Sequence, residues 1–375
     1  MSGWRASRRP WRRMTLTASL CALTWWPVGQ AAATTPGESQ VGIENCRAAT
    51  PVEPARYLLV ITGLGGEPYY ENLFERWGRD FAALAVQNLG LPPACILRLS
   101  SGRARLADDP GQESASLEPP GTSVKPEVLA AITDVAENSQ PGDIVMVFAA
   151  GHGTARGEDV RFNLPGPDLG PAELDQVLDT LPGRRLALIL ASSASGAFLE
   201  RVSRPGRIVV TATASGQENR HARFGGAFVE AYGAPESDTD KSGEVSLTEA
   251  VEYARRRVEA IYKSERRLQT EHAVLEDHDA GRLAGTYHLG VPPAFRAGEV
   301  QSPEVLALER DARRLLDSIE ALKRGRRGLS QEEFDTDLEA LLVQLAYNRR
   351  ELRTLKGTGQ PDKNAPARSS EGTSQ

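Results

Sequence analysis

The chain has 375 residues, of which 40% are hydrophobic and 25% charged, and its formal net charge is −6. This length exceeds the usual size of one domain, so we expect a main domain with additional segments. The acidic balance excludes a protein that binds nucleic acid through a broad basic surface.

The first 33 residues have the pattern of a secretory signal peptide. Five arginines precede the apolar stretch 14–28, and three alanines at 31–33 follow it. We expect cleavage near Ala33; a retained membrane anchor is the alternative, for which the apolar run is short. Removal takes five arginines and no acids, so the charge becomes −6 − 5 = −11. The sequence thus predicts an exported protein, periplasmic or secreted.

Export also bears on the cysteines. Cys21 lies within the signal, which leaves Cys46 and Cys95 in the mature chain. Two cysteines in an exported protein predict one disulfide, and two unpaired thiols are the alternative. Residues 34–55 are rich in Thr, Pro, Gly and Ala, and we expect an extended lead-in there.

Two apolar runs in the middle of the chain each end in small residues with reactive side chains. The first, 142–151, leads into His152, and the second, 185–191, leads into Ser192, Ser193 and Ser195. Such runs are typical of buried parallel strands, whose carboxyl ends carry the sites of open α/β sheets. The alternation of strand and helix patterns over 56–295 predicts an α/β domain. We expect a doubly wound, mostly parallel sheet with helices on both faces.

The Gly-His-Gly at 151–153, followed some forty residues later by Ser193-Ala194-Ser195-Gly196, resembles the legumain and caspase-like cysteine peptidases. The similarity extends over about 56–290. It implies a caspase-like fold, a peptide or protein substrate or ligand, His152 as general base, and Ser193 at the position of the nucleophilic cysteine. It also implies oxyanion donors at the backbone amides of Gly153 and Ser193. The substrate-binding strand would be at Thr211, Ala212 and Thr213.

The chain departs from this family because no cysteine follows Cys95. A serine hydroxyl is a far weaker acid than a thiol and needs a well-aligned base. We therefore expect a weak or inactive peptidase homologue that keeps a peptide-binding cleft. One alternative is an active serine endopeptidase that uses His152 with Ser193, or with Ser192 or Ser195. The other is a calcium-stabilised scaffold that acts through its carboxyl-terminal helices.

Residues 238–249 match the pattern of an EF-hand loop, with glycine at the sixth position and glutamate at the twelfth. The pattern predicts one Ca²⁺ site, with Ser246 acting through water. The alternative is an acidic turn in which Glu249 only caps the next helix. The predicted direct ligands are Asp238, Asp240, Ser242, the carbonyl of Glu244, and Glu249.

Residues 302–356 carry apolar residues at alternating spacings of three and four, interrupted at 325–328. This predicts two amphipathic helices in an antiparallel hairpin, with Ser330 and Glu333 as a capping box for the second. The apolar seam would close on itself, on the core or on partner helices. The polar stretch 357–375 has the composition of a disordered tail.

Overall fold

The structure is a computed structural model that describes residues 43–50, 53–102, 120–181, 183–292, 303–325 and 330–357. The predicted signal peptide at 1–33 lies outside the described residues. So does the predicted tail, except for its first residue, Gly357, which ends a helix.

The secondary structure alternates between strands and helices through most of the chain. The strands are β1 (Arg56–Thr62), β2 (Ile96–Ser100), β3 (Gly121–Thr122), β4 (Ile144–Gly151), β5 (Gly153–Arg156), β6 (Asp159–Phe162), β7 (Arg185–Ser192), β8 (Arg207–Thr211) and β9 (Val274–Glu276). The helices are α1 (Cys46–Ala49), α2 (Pro68–Gln87), α3 (Lys125–Asn138), α4 (Pro171–Leu178), α5 (Leu199–Val202), α6 (Phe224–Ala231), α7 (Leu247–Ser264), α8 (Arg282–Gly285), α9 (Pro303–Gly325) and α10 (Gln331–Gly357).

Seven of these strands form one sheet in the order β3-β2-β1-β4-β7-β8-β9. All neighbouring pairs are parallel except β8 and β9. The central strands β1 and β4 are buried along their whole length, as expected of parallel strands covered on both faces. The predicted class, a mixed α/β protein with a mostly parallel sheet, is confirmed.

Helices cover the two faces of the sheet through separate apolar clusters. On one face, residues such as Phe148 of β4 pack with Phe81 of α2 and Phe228 of α6. On the other face, residues such as Val147 of β4 pack with Ile132 of α3. Because successive strand residues point to opposite faces, the continuous apolar run of β4 supplies both clusters.

The lead-in is partly helical, which corrects the prediction of an extended segment over 34–55. Residues Ile43–Asn45 form a 3₁₀ turn that continues into α1. Ile43 and Cys46 are buried in the cluster of the α3 face, and this burial favours a compact turn over an extended chain. Cys46 forms the predicted disulfide with Cys95, whose Cα lies 4.5 Å away. The lead-in is therefore tied covalently to the start of β2.

Helices α9 and α10 pack against each other through an apolar cluster of their own, and Asn348 Nδ2 donates a hydrogen bond to the carbonyl of Leu308 at 2.9 Å. Ser330 and Glu333 form the expected capping box: Glu333 accepts from the Ser330 hydroxyl at 2.7 Å, and its own amide donates back at 3.3 Å. Among the helices that the structure describes, none has both the length and the apolar composition needed to cross a membrane.

Candidate active site and metal-binding loop

His152 and Ser193 follow two neighbouring parallel strands at the same edge of the sheet. Gly151 at the end of β4 is paired with Ser192 at the end of β7. His152 directly follows Gly151 along the chain, and Ser193 directly follows Ser192. Carboxyl ends of adjacent parallel strands meet in this way, so the sheet topology brings the imidazole and the hydroxyl to one edge.

The Ser193 hydroxyl is held by the peptide groups of Gly153. Its oxygen accepts a hydrogen bond from the Gly153 N–H at 3.0 Å and lies 3.1 Å from the Gly153 carbonyl, to which it donates. Ser193 is only 2% exposed. Among the described hydrogen bonds, none joins this hydroxyl to His152. The proton that a nucleophilic serine gives to its base is thus directed to a backbone carbonyl instead.

Close approach between the two loops explains why residue 153 is glycine. A Cβ at Gly153 would lie 2.3 Å from the carbonyl oxygen of Ser193, and no side chain tolerates that contact. The turn after Ser193 is equally tight, because Ala194 takes a left-handed conformation with φ of 55°. The small residues that mark this region in the sequence therefore allow the two strand ends to touch.

The other two serines considered as nucleophiles are also buried. The hydroxyls of Ser195 and Thr213 form a hydrogen bond at 3.2 Å. The Ser195 hydroxyl also accepts a hydrogen bond from the Thr213 amide at 3.2 Å. The hydroxyl of Ser192 is buried without a hydrogen-bond partner among the described residues. Neither hydroxyl has a described hydrogen bond to a histidine.

His152 is half-buried and lies in an aromatic cluster. Its ring meets Tyr70 and Phe74 of α2 edge-on, at centroid distances of 4.9 Å and 5.1 Å. Burial lowers the pKa of His152, and a hydrogen bond to the Gly65 carbonyl, with the nearby carboxylate of Glu71, offsets part of this effect. The imidazole is therefore neutral at pH 7 and oriented by a backbone carbonyl.

His221 belongs to the same aromatic cluster. Its ring lies 5.9 Å from that of His152 and 4.7 Å from that of Tyr70, measured between centroids. Burial lowers the pKa of His221 to about 4, and the neighbouring His152 and Arg223 act in the same direction. The sequence did not reveal this cluster, although Tyr70, Phe74 and Trp77 share one face of α2 by their helical spacing.

Glu71, whose carboxylate acts on His152 through its charge, does not orient the imidazole. Glu71 is buried, and its two oxygens accept hydrogen bonds from the Gly66 amide at 3.2 Å and from the Ser101 hydroxyl at 2.9 Å. The third member of a serine triad, an acid bonded to the imidazole, is therefore not supplied by Glu71.

Thr211, Ala212 and Thr213, predicted to contact substrate, are completely buried at the end of β8. The Thr211 hydroxyl donates to the Thr213 carbonyl at 2.8 Å, and the Thr213 hydroxyl accepts from the Gly196 amide at 2.9 Å. In this conformation they support the turn that carries Ser193 and Ser195. Their contact with a substrate stays a prediction.

A further residue, Glu218, connects the Ser193 turn with a second loop. Its carbonyl accepts a hydrogen bond from the Ala194 amide at 2.9 Å. Its carboxylate accepts from the Ala214 amide at 2.8 Å and lies 2.6 Å from Nδ1 of His272. This role of Glu218 cannot be seen in the sequence, since its partners are 24, 4 and 54 residues away.

The acidic loop between α6 and α7 has a geometry that fits a calcium site. Oxygens of Asp238, Asp240 and Glu249 all lie within 4.8 Å of one another. Gly243 at the sixth position has φ of 87°, where glycine is needed for the turn, and Val245 at the eighth packs against the core. Ca²⁺ prefers oxygen ligands of this kind, so the residues present suit the ion.

The same loop also contains the interactions expected of the alternative, an acidic turn in which Glu249 caps the next helix. Glu249 accepts from the amide and hydroxyl of Ser246 at 2.9 Å and 2.8 Å, so it caps α7. Its other oxygen accepts from the Thr239 amide and hydroxyl at 2.8 Å and 2.7 Å. Partial burial raises the pKa of Glu249, but these bonds from Ser246 and Thr239 outweigh it and the net pKa is lowered. The carboxylate is therefore ionised at neutral pH, as a metal ligand must be.

Neither a protein-family model nor a curated protein matches the sequence significantly.

Proposed function

We propose that the protein is an exported, legumain- and caspase-like peptidase homologue with little or no hydrolytic activity, which binds peptides at the carboxyl edge of its sheet. The observation that carries this proposal is the pair of hydrogen bonds between the Ser193 hydroxyl and Gly153, at 3.0 Å and 3.1 Å. These two bonds engage the hydroxyl of the candidate nucleophile, Ser193, and the N–H of one candidate oxyanion donor, Gly153, at the same time.

This arrangement opposes each step of serine catalysis. The Ser193 proton is donated to a carbonyl, so no base increases its nucleophilicity. The Gly153 N–H, which would stabilise a tetrahedral oxyanion, already donates to the hydroxyl oxygen. Activity would require Ser193 to rotate away from Gly153 and form a hydrogen bond with His152. The active serine endopeptidase thus remains the alternative that this rotation would create.

Export is supported by the disulfide between Cys46 and Cys95, both of which are fully buried. Disulfides of this structural kind persist in oxidising compartments. The buried bond is consistent with the signal-like pattern at residues 1–33 and with a periplasmic or secreted protein.

The function is tested by giving the site its missing thiol. Ser193→Cys should create or raise hydrolysis of a fluorogenic peptide library, because a thiolate does not depend on strong activation by His152. Ser195→Cys is the matched control: this buried residue is bonded to Thr213 and should stay inactive. Binding of library peptides to the natural protein, measured by calorimetry, tests the binding half. A natural protein that binds no peptide, with an inert Ser193→Cys variant, would contradict the proposal.

A second function, calcium-dependent stabilisation, is favoured by the convergence of Asp238, Asp240 and Glu249 within 4.8 Å. We propose that these carboxylates, Ser242 and the carbonyl of Glu244 hold one Ca²⁺. The ion would hold the start of α7 to the 3₁₀ turn Pro235–Ser237, which immediately precedes the loop. Glu249 would exchange its hydrogen bonds to Thr239 for metal coordination.

A further inference from the structure

Helix α10 exposes apolar side chains on the side that does not contact α9. Two of its buried residues, Leu345 and Leu352, belong to the cluster shared with α9. In contrast, Leu342 is 48% exposed, Val343 46% and Tyr347 68%. Leu342 and Val343 line one groove of α10 with Asp335, Glu339 and Ala346, and such a groove indicates an interaction surface.

One exposed row of α10 has an ordered charge pattern. Its members follow one another at spacings of four, three, four, three and four, and therefore share one face. We call this row the α10 stripe. The stripe consists of Asp335, Glu339, Leu342, Ala346, Arg349 and Arg353, all exposed.

The α10 stripe is self-complementary in the antiparallel sense. It is acidic at one end, apolar in the middle and basic at the other. Positions 335 and 353, 339 and 349, and 342 and 346 are each equidistant from position 344. Two antiparallel copies centred there would place acids opposite arginines and Leu342 opposite Ala346. Two parallel copies would place like charges together, which is unfavourable.

From this symmetry we infer that the α10 stripe docks against the same stripe of a second copy of the chain, antiparallel, in a dimer with a twofold axis near residue 344. Such an isologous contact is the commonest way in which soluble proteins form dimers. The two helix pairs, each α9 with α10, would then form a four-helix bundle. The contact would extend along much of α10, whose 27 residues span about 40 Å.

Sedimentation velocity of the full chain over a concentration series tests the dimer, and charge reversal tests its orientation. The natural protein should dimerise. Glu339→Arg should weaken the dimer at least about tenfold, because each of two symmetric contacts changes from attraction to repulsion. Arg349→Glu should do the same. The double variant Glu339→Arg/Arg349→Glu should restore the dimer, since both contacts are again between opposite charges.

Glu351→Arg provides the matched control, because Glu351 is exposed on α10 but lies on a different side of the helix from the stripe. It should leave dimerisation unchanged. Circular dichroism of each variant checks that the helices are intact. A natural protein that is monomeric at all concentrations would overturn the inference. A dimer that tolerates both single reversals, or that the double reversal fails to restore, would also overturn it.

Discussion

The Ser193 hydroxyl forms two hydrogen bonds with Gly153: its oxygen lies 3.0 Å from the Gly153 nitrogen and 3.1 Å from the Gly153 carbonyl oxygen. Both residues follow the carboxyl ends of adjacent strands, where a peptidase would hold its nucleophile and oxyanion donor. The contact is buried, so it contributes to the stability of this edge of the sheet as well as restraining its chemistry.

Ser193→Ala should lower the free energy of unfolding by about 1–2 kcal/mol, because it leaves the buried N–H of Gly153 without its acceptor. Urea denaturation measures the change. Ser264→Ala, at an exposed hydroxyl near the end of α7, is the control and should change stability by less than about 0.5 kcal/mol. Equal effects of the two substitutions would show that the Gly153 contact is not stabilising.

His221 should make the protein sensitive to acid. Its pKa is lowered from 6.5 to about 4 in the folded state, so the unfolded chain takes up a proton first as the pH falls. The stability that comes from the neutral ring is complete above pH 6.5 and is lost between there and about pH 4. At about 1.4 kcal/mol for each pH unit between 6.5 and about 4, we expect this loss to be about 3 kcal/mol.

Denaturation of His221→Phe across this pH range checks the assignment, because phenylalanine keeps the aromatic packing but cannot titrate. The variant should lose less stability towards pH 4 than the natural protein. His278→Asn, at an exposed left-handed position that asparagine tolerates, should behave like the natural protein. An unchanged pH profile in His221→Phe would assign the acid sensitivity to other groups.

Calcium should stabilise the protein through the 238–249 loop. At a concentration about a hundredfold above the dissociation constant, the ion adds about 2.7 kcal/mol. Thermal melts in calcium and in chelator measure this increment. Glu249→Gln should abolish the increment, whereas Glu252→Gln, at an exposed position of α7 outside the loop, should retain it. Because Glu249 also caps the helix, the difference between the two melts is the informative quantity. If the natural protein melts identically in calcium and in chelator, the loop is only a turn and does not bind the ion.

Loss of the disulfide should destabilise the protein strongly. Cys46 and Cys95 are separated by 49 residues, and closing a loop of that size stabilises by about 4 kcal/mol in the chain-entropy description. The double variant Cys46→Ala/Cys95→Ala should show this loss in urea denaturation. Reduction of the natural protein with a thiol reagent should lower its stability to nearly the same extent. A variant as stable as the natural protein would remove the disulfide's support for the export proposal.

The sequence predicted the mostly parallel sheet, because the apolar runs within β4 and β7 are stable only between two helical layers. It also located His152 and Ser193 correctly at the ends of those strands. It did not reveal where the Ser193 hydroxyl points, since a rotamer choice depends on the backbone of Gly153, forty residues away. The resemblance implied that Thr211 and Thr213 contact a substrate, and the sequence did not reveal that their hydroxyls are bonded within the core. Alternating polar residues at a strand end look the same in both cases.

The reactivity of the Ser193 hydroxyl tests the central claim most directly. We would incubate the natural protein with a labelled, serine-reactive phosphonate and locate any adduct by mass spectrometry of peptides. The contact with Gly153 predicts no labelling of Ser193 above that in a heat-denatured sample or in Ser193→Ala. Stoichiometric labelling of Ser193 in the folded protein that disappears in His152→Ala would contradict it, because it would show a hydroxyl activated by the imidazole.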